Sequence, residues 1–182
     1  WTDTWDFNYW RNGVMGGTTP TSGNHSASRP MPMLSDIEFA KNGRMIIAFR
    51  DRGGDMMGAS NVPPTTNSYL IDYRTGGDIL CAALNGSTWQ LESSGSCGGA
   101  AGARTVATTG NPTEFYDDDI HLINNTNSDE REIGSGGIAA RRDTNEIVMT
   151  VKDPADIFAG GVRWLDSSNG ASLRNYQIYT GL

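Results

Sequence analysis

The sequence is poor in the residues that most often build metal and catalytic centres. It has only 2 histidines and 2 cysteines in 182 residues, and no His-x-His, His-Glu-x-x-His or Cys-x-x-Cys motif. Transition-metal sites usually take several such ligands at short spacing. The sequence also lacks a Gly-x-Ser-x-Gly nucleophile motif and a phosphate-binding glycine-rich loop between a strand and a helix. These absences disfavour a zinc enzyme, a serine hydrolase and a nucleotide-binding enzyme.

Long apolar runs and excess positive charge are also missing. No apolar stretch approaches the roughly 20 residues that a membrane-spanning helix needs, so we expect no membrane insertion. The formal net charge is −7. An acidic chain is a poor partner for nucleic acid, because phosphate groups are bound by a basic face. We therefore expect no nucleic-acid partner.

The composition that remains is typical of an all-β protein. Glycine is abundant, at 23 residues, and charged residues make up only 19% of the chain. This balance favours many turns and short strands over a helical bundle. The chain begins at Trp1 rather than at Met and shows no signal peptide. We therefore expect a processed chain or a part of a longer one.

One stretch of the sequence, residues 34–55, is echoed about a hundred residues later in residues 133–156. An offset of 102 places residues 45–51 on residues 147–153, and an offset of 101 places Ile37 on Ile138. Both copies have a strand, a short polar turn, and a more apolar strand that ends in a basic residue and an Asp. The similarity continues from residues 69–80 to residues 161–179. Four short strands in up-and-down order form the blade of a β-propeller.

The sequence therefore predicts an all-β, β-propeller-like fold with two four-stranded antiparallel blades, part of a third and long loops. Its divisions are an aromatic lead-in (1–33), a first blade (34–92), a Gly-, Ala- and Thr-rich insertion with an acidic segment (93–132), and a second blade (133–182). In the first blade we expect strands at 34–39, 44–49, 68–73 and 78–84, with a further short strand at 87–92. The composition of residues 93–119 favours an irregular loop, and residues 114–119 mark a return to order.

The two cysteines, Cys81 and Cys97, enclose 15 residues that are mostly small and polar. Two free thiols are one interpretation. A disulfide is favoured, because the intervening segment is flexible enough to close and the chain has the composition of a secreted protein.

Clustered carboxylates make a calcium site the main metal hypothesis. Asp51 and Asp55 share a glycine-containing loop, and Asp117, Asp118 and Asp119 are consecutive. Calcium takes six to eight oxygen ligands, which loops can supply, but neither stretch matches the helix-loop-helix calcium motif. Solvated acidic loops and a carboxylate pair for glycoside hydrolysis are the alternatives. No cofactor other than a structural calcium ion is expected.

Aromatic residues are concentrated at the start of the chain. Trp1, Trp5 and Trp10 lie there beside Phe7 and Tyr9. Residues in this partly alternating pattern predict an extended segment with one buried face, packed on a neighbouring blade. A platform on which sugars stack is the functional alternative.

Several phrases of the sequence resemble one known type of protein region. They are RPMPMLSDIEF (29–39), MIIAFRDRGGD (45–55), GGDILCA (76–82) and GGVRWL (160–165), with the opening WTDTW. They resemble a propeller-like region in large secreted or surface-anchored bacterial proteins, often beside repeated B-type immunoglobulin-like domains. The resemblance covers most of the chain and implies an extracellular, non-enzymatic module. It transfers no catalytic residues.

We therefore expect a structural or adhesive module at the cell surface or in an extracellular matrix. The alternatives are a carbohydrate-binding or glycoside-cleaving propeller and a subunit of an external filament or sheath. Two blades would leave open strand edges, which are templates for pairing with further strands. The expected partners are therefore the remaining blades of a longer chain or copies of this chain, with glycans as a further candidate.

Overall fold

The computed structural model describes residues 25–27, 32–52, 55, 71–73, 77–103, 113–118, 134–152 and 159–180. The strands in these ranges are β1 (His25–Ala27), β2 (Pro32–Phe39), β3 (Met45–Asp51), β4 (Ile71–Tyr73), β5 (Ile79–Asn85), β6 (Thr88–Leu91), β7 (Ser96–Cys97), β8 (Ala100–Ala101), β9 (Gly134–Ala140), β10 (Glu146–Lys152), β11 (Ala159–Asp166) and β12 (Ser172–Thr180). No helix in the described part of the chain is long and apolar enough to cross a membrane.

Two four-stranded antiparallel sheets dominate the fold. The first sheet has the strand order β2-β3-β5-β6, and the second has the order β12-β11-β10-β9. Two small sheets accompany them, an antiparallel β7-β8 pair and a parallel β1-β4 pair. The predicted all-β fold with two four-stranded antiparallel sheets is confirmed.

Short turns with glycine at positive φ close the hairpins of the first sheet. In the β2–β3 turn, Gly43 has φ +81° and Ala40 N–H donates to Arg44 O at 2.9 Å. The β5–β6 turn contains Gly86 at φ +63°. L-residues rarely adopt such a conformation, so the Asn-Gly pair at residues 42–43 predicts its hairpin correctly.

The predicted strand at residues 68–73 is present in its described part, but its assignment to the first blade is wrong. In the described part of that segment, Ile71–Tyr73 forms β4 and pairs with β1 instead. Strand β3 pairs directly with β5, from Met45 opposite Ala82 onward, so no strand lies between them. The tight turn at Gly86 then folds β6 back beside β5 as the fourth strand. The third and fourth strands of the first sheet are therefore β5 and β6, which form a local hairpin. The sequence repeat had assigned these two positions to residues 68–73 and 78–84.

The register of the two sheets agrees with the sequence repeat. Ile37 pairs with Ile47 in the first sheet, and Ile138 pairs with Met149 in the second. These pairs correspond at offsets of 101 before the turn and 102 after it, as the sequence predicts. Residue 153, the predicted partner of Asp51, lies outside the described residues.

Each sheet has two faces, which we name by this correspondence. The front of the second sheet carries Ile138, Ile147 and Met149, and the equivalent front of the first sheet carries Ile37, Met45 and Ile47. The opposite faces are the backs. Apolar residues on the back of the first sheet are buried and belong to one core cluster with the front of the second: Ile46, Ala48, Ile79, Cys81, Ala83, Ile138, Ile147, Met149, Val151 and Leu165. The sheets are therefore stacked back to front.

Polar contacts join strands β2 and β9 across this interface. The Ser35 hydroxyl donates to Gly136 O at 2.7 Å, and Ile138 N–H donates to the Asp36 carboxylate at 3.2 Å. Gly134 N–H also donates to Gly77 O at 2.9 Å. Backbone groups at the edge of the second sheet thus find partners in the first.

Candidate functional site

The predicted disulfide between Cys81 and Cys97 is confirmed. The S–S distance is 2.04 Å and the Cα atoms are 6.1 Å apart. Cys81 lies on β5 and is fully buried, and Cys97 on β7 is 1% exposed. The bond fixes the small β7-β8 hairpin onto the back of the first sheet. Residues 96–101 are therefore more ordered than the irregular loop expected from their composition.

The predicted calcium ligands have separate roles in the structure. Arg50 Nε donates to the Asp55 carboxylate at 2.8 Å, and Asp51 is buried at the end of β3. Asp118 is also buried, and its carboxylate accepts from Ile79 N–H at 3.0 Å. Asp117 is half-buried, and Asp119 lies outside the described residues. Of these residues, Asp118 has a clear structural role, because its carboxylate binds the backbone N–H of the first residue of β5.

Within the described ranges, no group of three or more His, Cys, Asp or Glu side chains is placed to hold a metal ion. The calcium hypothesis stays a prediction. Trp1, Trp5 and Trp10 lie outside the described residues, as does the rest of the aromatic lead-in.

A short segment from the predicted loop, Thr113–Asp118, lies in the core between the two sheets. Phe115 and Tyr116 are fully buried, with ring centroids 5.0 Å apart in an edge-to-face arrangement. The Tyr116 hydroxyl has no hydrogen-bond partner among the described residues. Burial raises the pKa of Tyr116, so this side chain is neutral at physiological pH. We call Thr113–Asp118 the inserted segment.

Backbone and side chains of both sheets hold the inserted segment. Glu92, just after β6, accepts from Phe115 N–H at 2.9 Å with one oxygen and from Cys81 N–H at 2.6 Å with the other. From the second sheet, Gly170 O accepts from Asp117 N–H at 2.8 Å. The segment therefore connects the end of the first sheet to the last hairpin of the second.

Two arginines bind backbone carbonyls around the same segment. Arg44 Nη1 donates to Ser167 O at 3.1 Å and to Ser168 O at 2.9 Å, and its guanidinium lies 5.0 Å from the centroid of the Phe115 ring. Arg163 is only 4% exposed and donates to Asp117 O at 3.1 Å. Guanidinium groups suit this role because several donors fan out in one plane.

The electrostatics of Glu92 follow from its position between the first sheet and the inserted segment. Burial raises the pKa of Glu92, and the two backbone N–H donors oppose that effect by stabilising the carboxylate. Burial is the larger cause, so the pKa lies above the usual 4.5. A carboxyl group with a raised pKa in the folded state stabilises the fold most in acid, and that contribution is lost as the pH rises through the raised pKa.

We predict that Glu92→Gln removes this pH dependence. The wild-type free energy of unfolding minus that of the variant should be greatest below pH 4.5 and should decrease toward neutral pH. Urea unfolding of both proteins at a series of pH values measures the difference. Asp143→Asn is a control of opposite sign, because Arg141 holds the pKa of this exposed carboxylate below its usual value. A difference that grows with rising pH would show that the N–H donors outweigh burial.

The front of the first sheet presents an unusually apolar surface to solvent. Six of its large side chains are between 38% and 58% exposed: Leu34, Ile37, Phe39, Leu84, Trp89 and Leu91. The rings of Phe39 and Trp89, from the two edge strands, approach to 5.9 Å between centroids. Cross-strand pairing places Met45, Ile47 and Leu80 on the same face, and Asp51, at the end of β3 on this face, is buried. Contiguous exposed apolar surface of this kind usually marks an interaction site.

The back of the second sheet is more mixed in character. Val148, Val162 and Trp164 lie on this face. The Arg174 guanidinium lies 4.6 Å from the Trp164 ring centroid and donates to the Glu146 carboxylate at 2.7 Å. The arginine holds the pKa of Glu146 below its usual value. This face therefore combines an apolar centre with a charged pair toward one edge.

A cleft of about 460 Å³ opens at the end of the first sheet beside the disulfide hairpin. Its lining includes Asn85, Gln90, Ser93 and Ser96, together with small and apolar residues. None of the described residues that line it has a titratable side chain.

Sequence reasoning found the disulfide but missed the residues that join the sheets. Glu92, Arg44 and Arg163 carry no motif, and the buried pair Phe115–Tyr116 follows a stretch with the composition of a loop. The sequence did contain one indication of the apolar front, because residues on both faces of β3 are apolar. That pattern predicts a strand covered on both sides.

The sequence of this chain is similar to short regions of two much longer proteins. No described protein family matches it, and no solved structure does. It is 25% identical over 150 residues to Colossin-C and 26% identical over 155 residues to Colossin-A, both from Dictyostelium discoideum. Each match covers 82% of this chain. The chain spans 14% of the length of Colossin-C and 1% of the length of Colossin-A.

Proposed function

We propose that this chain is a non-enzymatic structural or adhesive module that acts outside the cell, as one part of a propeller-like stack of β-sheets. The observation that carries the proposal is that polar side chains in and around the core form hydrogen bonds to the protein's own backbone. Glu92, Asp118, Arg44 and Arg163 each bind backbone groups of another segment. Groups used in this way position the sheets and have little freedom to act on a substrate.

The propeller-like arrangement is supported by the way in which the two sheets meet. The back of one four-stranded sheet is buried against the front of an equivalent one. Packing of unlike faces repeats by rotation, as in the blades of a propeller. Two sheets related by a twofold axis would instead bury the same face of each.

The extracellular location is supported by the disulfide between Cys81 and Cys97. Such bonds form and persist in oxidising compartments and are rare in the cytosol. The matching regions of the Colossins are small parts of much longer chains. This agrees with a module that functions beside other domains.

A glycan array combined with a panel of glycosidase substrates tests the proposal. We expect neither saturable binding to one class of sugar nor turnover. As a control, single Asp→Asn and Glu→Gln variants of the described carboxylates, including Asp78 and Asp117, should change stability only. Turnover that one of these variants abolishes without lowering stability would contradict a structural role. Tight binding to one sugar class would favour the carbohydrate-binding alternative.

A further inference from the structure

The front of the first sheet is equivalent to the front of the second sheet, which is packed against the back of the first sheet. Its residues Ile37 and Ile47 correspond to Ile138 and Met149 of the second sheet. Ile138 and Met149 are 8% and 2% exposed, because the back of the first sheet covers them, whereas Ile37 is 45% exposed and Ile47 is half-buried. Among the described strands, none forms an equivalent sheet on this receiving face of the first sheet.

The opposite end of the stack has the complementary face. Val148 and Trp164, on the back of the second sheet, correspond to Ile46 and Cys81 on the back of the first. Ile46 and Cys81 are fully buried. Tyr176 extends the same surface and is 63% exposed. In the described part of the chain, one end of the stack thus has an apolar front with exposed side chains, and the other has a back on which Tyr176 is exposed and Val148 and Trp164 are half-buried.

We propose that the front of the first sheet receives the back of the second sheet of another copy of this chain. This inference rests on the back-to-front repeat proposed above. Contact between two different faces is heterologous, and it continues from copy to copy until a ring closes or a filament forms. The apolar centres meet, while the Arg174–Glu146 pair stays near the edge, where water can solvate it.

Light scattering of the wild-type chain over a range of concentrations gives the first test. We expect the mass to rise above that of one chain as the concentration increases. The front variant Leu84→Lys/Leu91→Lys places two charges on exposed positions of the apolar face. We expect it to raise the dissociation constant by about 100-fold or more, because charges are costly to bury without a partner. Ser87→Lys/Thr88→Lys, at exposed positions next to the same strands but away from the front, adds equal charge and should leave association unchanged.

Mixing of two variants tests the head-to-tail geometry. The back variant Tyr176→Lys, like the front variant, should be monomeric alone. Each still has one intact face, so an equimolar mixture should form a dimer with one copy of each and stop there. Association of the back variant alone, which keeps an intact front, would indicate front-to-front contact and overturn the proposal, as would failure of the mixture to associate.

A wild-type chain that stays monomeric at every concentration would also overturn the proposal. Neither result bears on the glycan and substrate panel, so failure of self-association is distinct from failure of the structural role. Circular dichroism of each variant separates lost association from lost folding. If Leu84→Lys/Leu91→Lys does not fold, the single variant Leu91→Lys, at a 58% exposed edge position, replaces it.

Discussion

Replacing Cys81 and Cys97 together by alanine is expected to lower the free energy of unfolding by about 3 kcal/mol. The bond closes a loop of sequence separation 16, which restricts the unfolded chain. It also fixes the β7-β8 hairpin, whose Cys97 belongs to the buried core. For a chain of this length, we expect the melting temperature to fall by about 6–12 °C.

Thermal and urea unfolding of the double variant, beside wild-type protein with and without reductant, measure this effect. Reduced wild type should behave like the variant, since both lack the covalent link. Intact-mass analysis should show that native protein is two protons lighter than reduced protein. Free thiols that alkylate in oxidised native protein, or an unchanged melting temperature, would contradict the role of the bond.

Gly170→Ala is expected to be at least as damaging, at about 3 kcal/mol or more. Gly170 has φ +75°, a conformation that costs an L-residue about 1–2 kcal/mol. A Cβ atom at this position would also overlap the carbonyl oxygen of Phe115. The inserted segment would have to move away from the hairpin of the second sheet, and the Asp117 N–H to Gly170 O bond would be lost.

Gly43→Ala is the matched control for this prediction. Gly43 has a similar φ of +81°, but nothing lies within 4 Å of the Cβ position. Its cost should be near 1 kcal/mol, the conformational part alone. Urea denaturation of both variants gives the comparison. Equal losses for Gly170→Ala and Gly43→Ala would show that the contact with Phe115 contributes nothing.

The second sheet could be predicted closely from the sequence where its strands form local hairpins. Short turns at residues 141–145 and 167–171 join β9 to β10 and β11 to β12 in the structure. Hairpin signals are local, so a window of about ten residues contains the needed information. The disulfide was predictable for a similar reason, since only two cysteines exist to pair.

The first sheet and the junction between the sheets could not be predicted as well. Residues 68–73 have strand character, but which strand they pair with depends on contacts far away in sequence. The inserted segment is short and flanked by polar residues, so its burial depends on Glu92 and Gly170, which are distant in sequence and carry no pattern. In the sequence, polar side chains that bind backbone groups cannot be distinguished from ordinary loop residues, because their partners are known only from the folded structure.

Native-state hydrogen exchange tests most directly whether the two sheets and the inserted segment form one cooperative module. The reporters are amides whose partners lie in another of these three parts: Ile79, Phe115, Asp117 and Ile138. We predict that they open with one common free energy, equal to that of global unfolding. Opening of Ile138 and Asp117 at a free energy well below that of Ile79 would contradict this, because the sheets would then unfold separately.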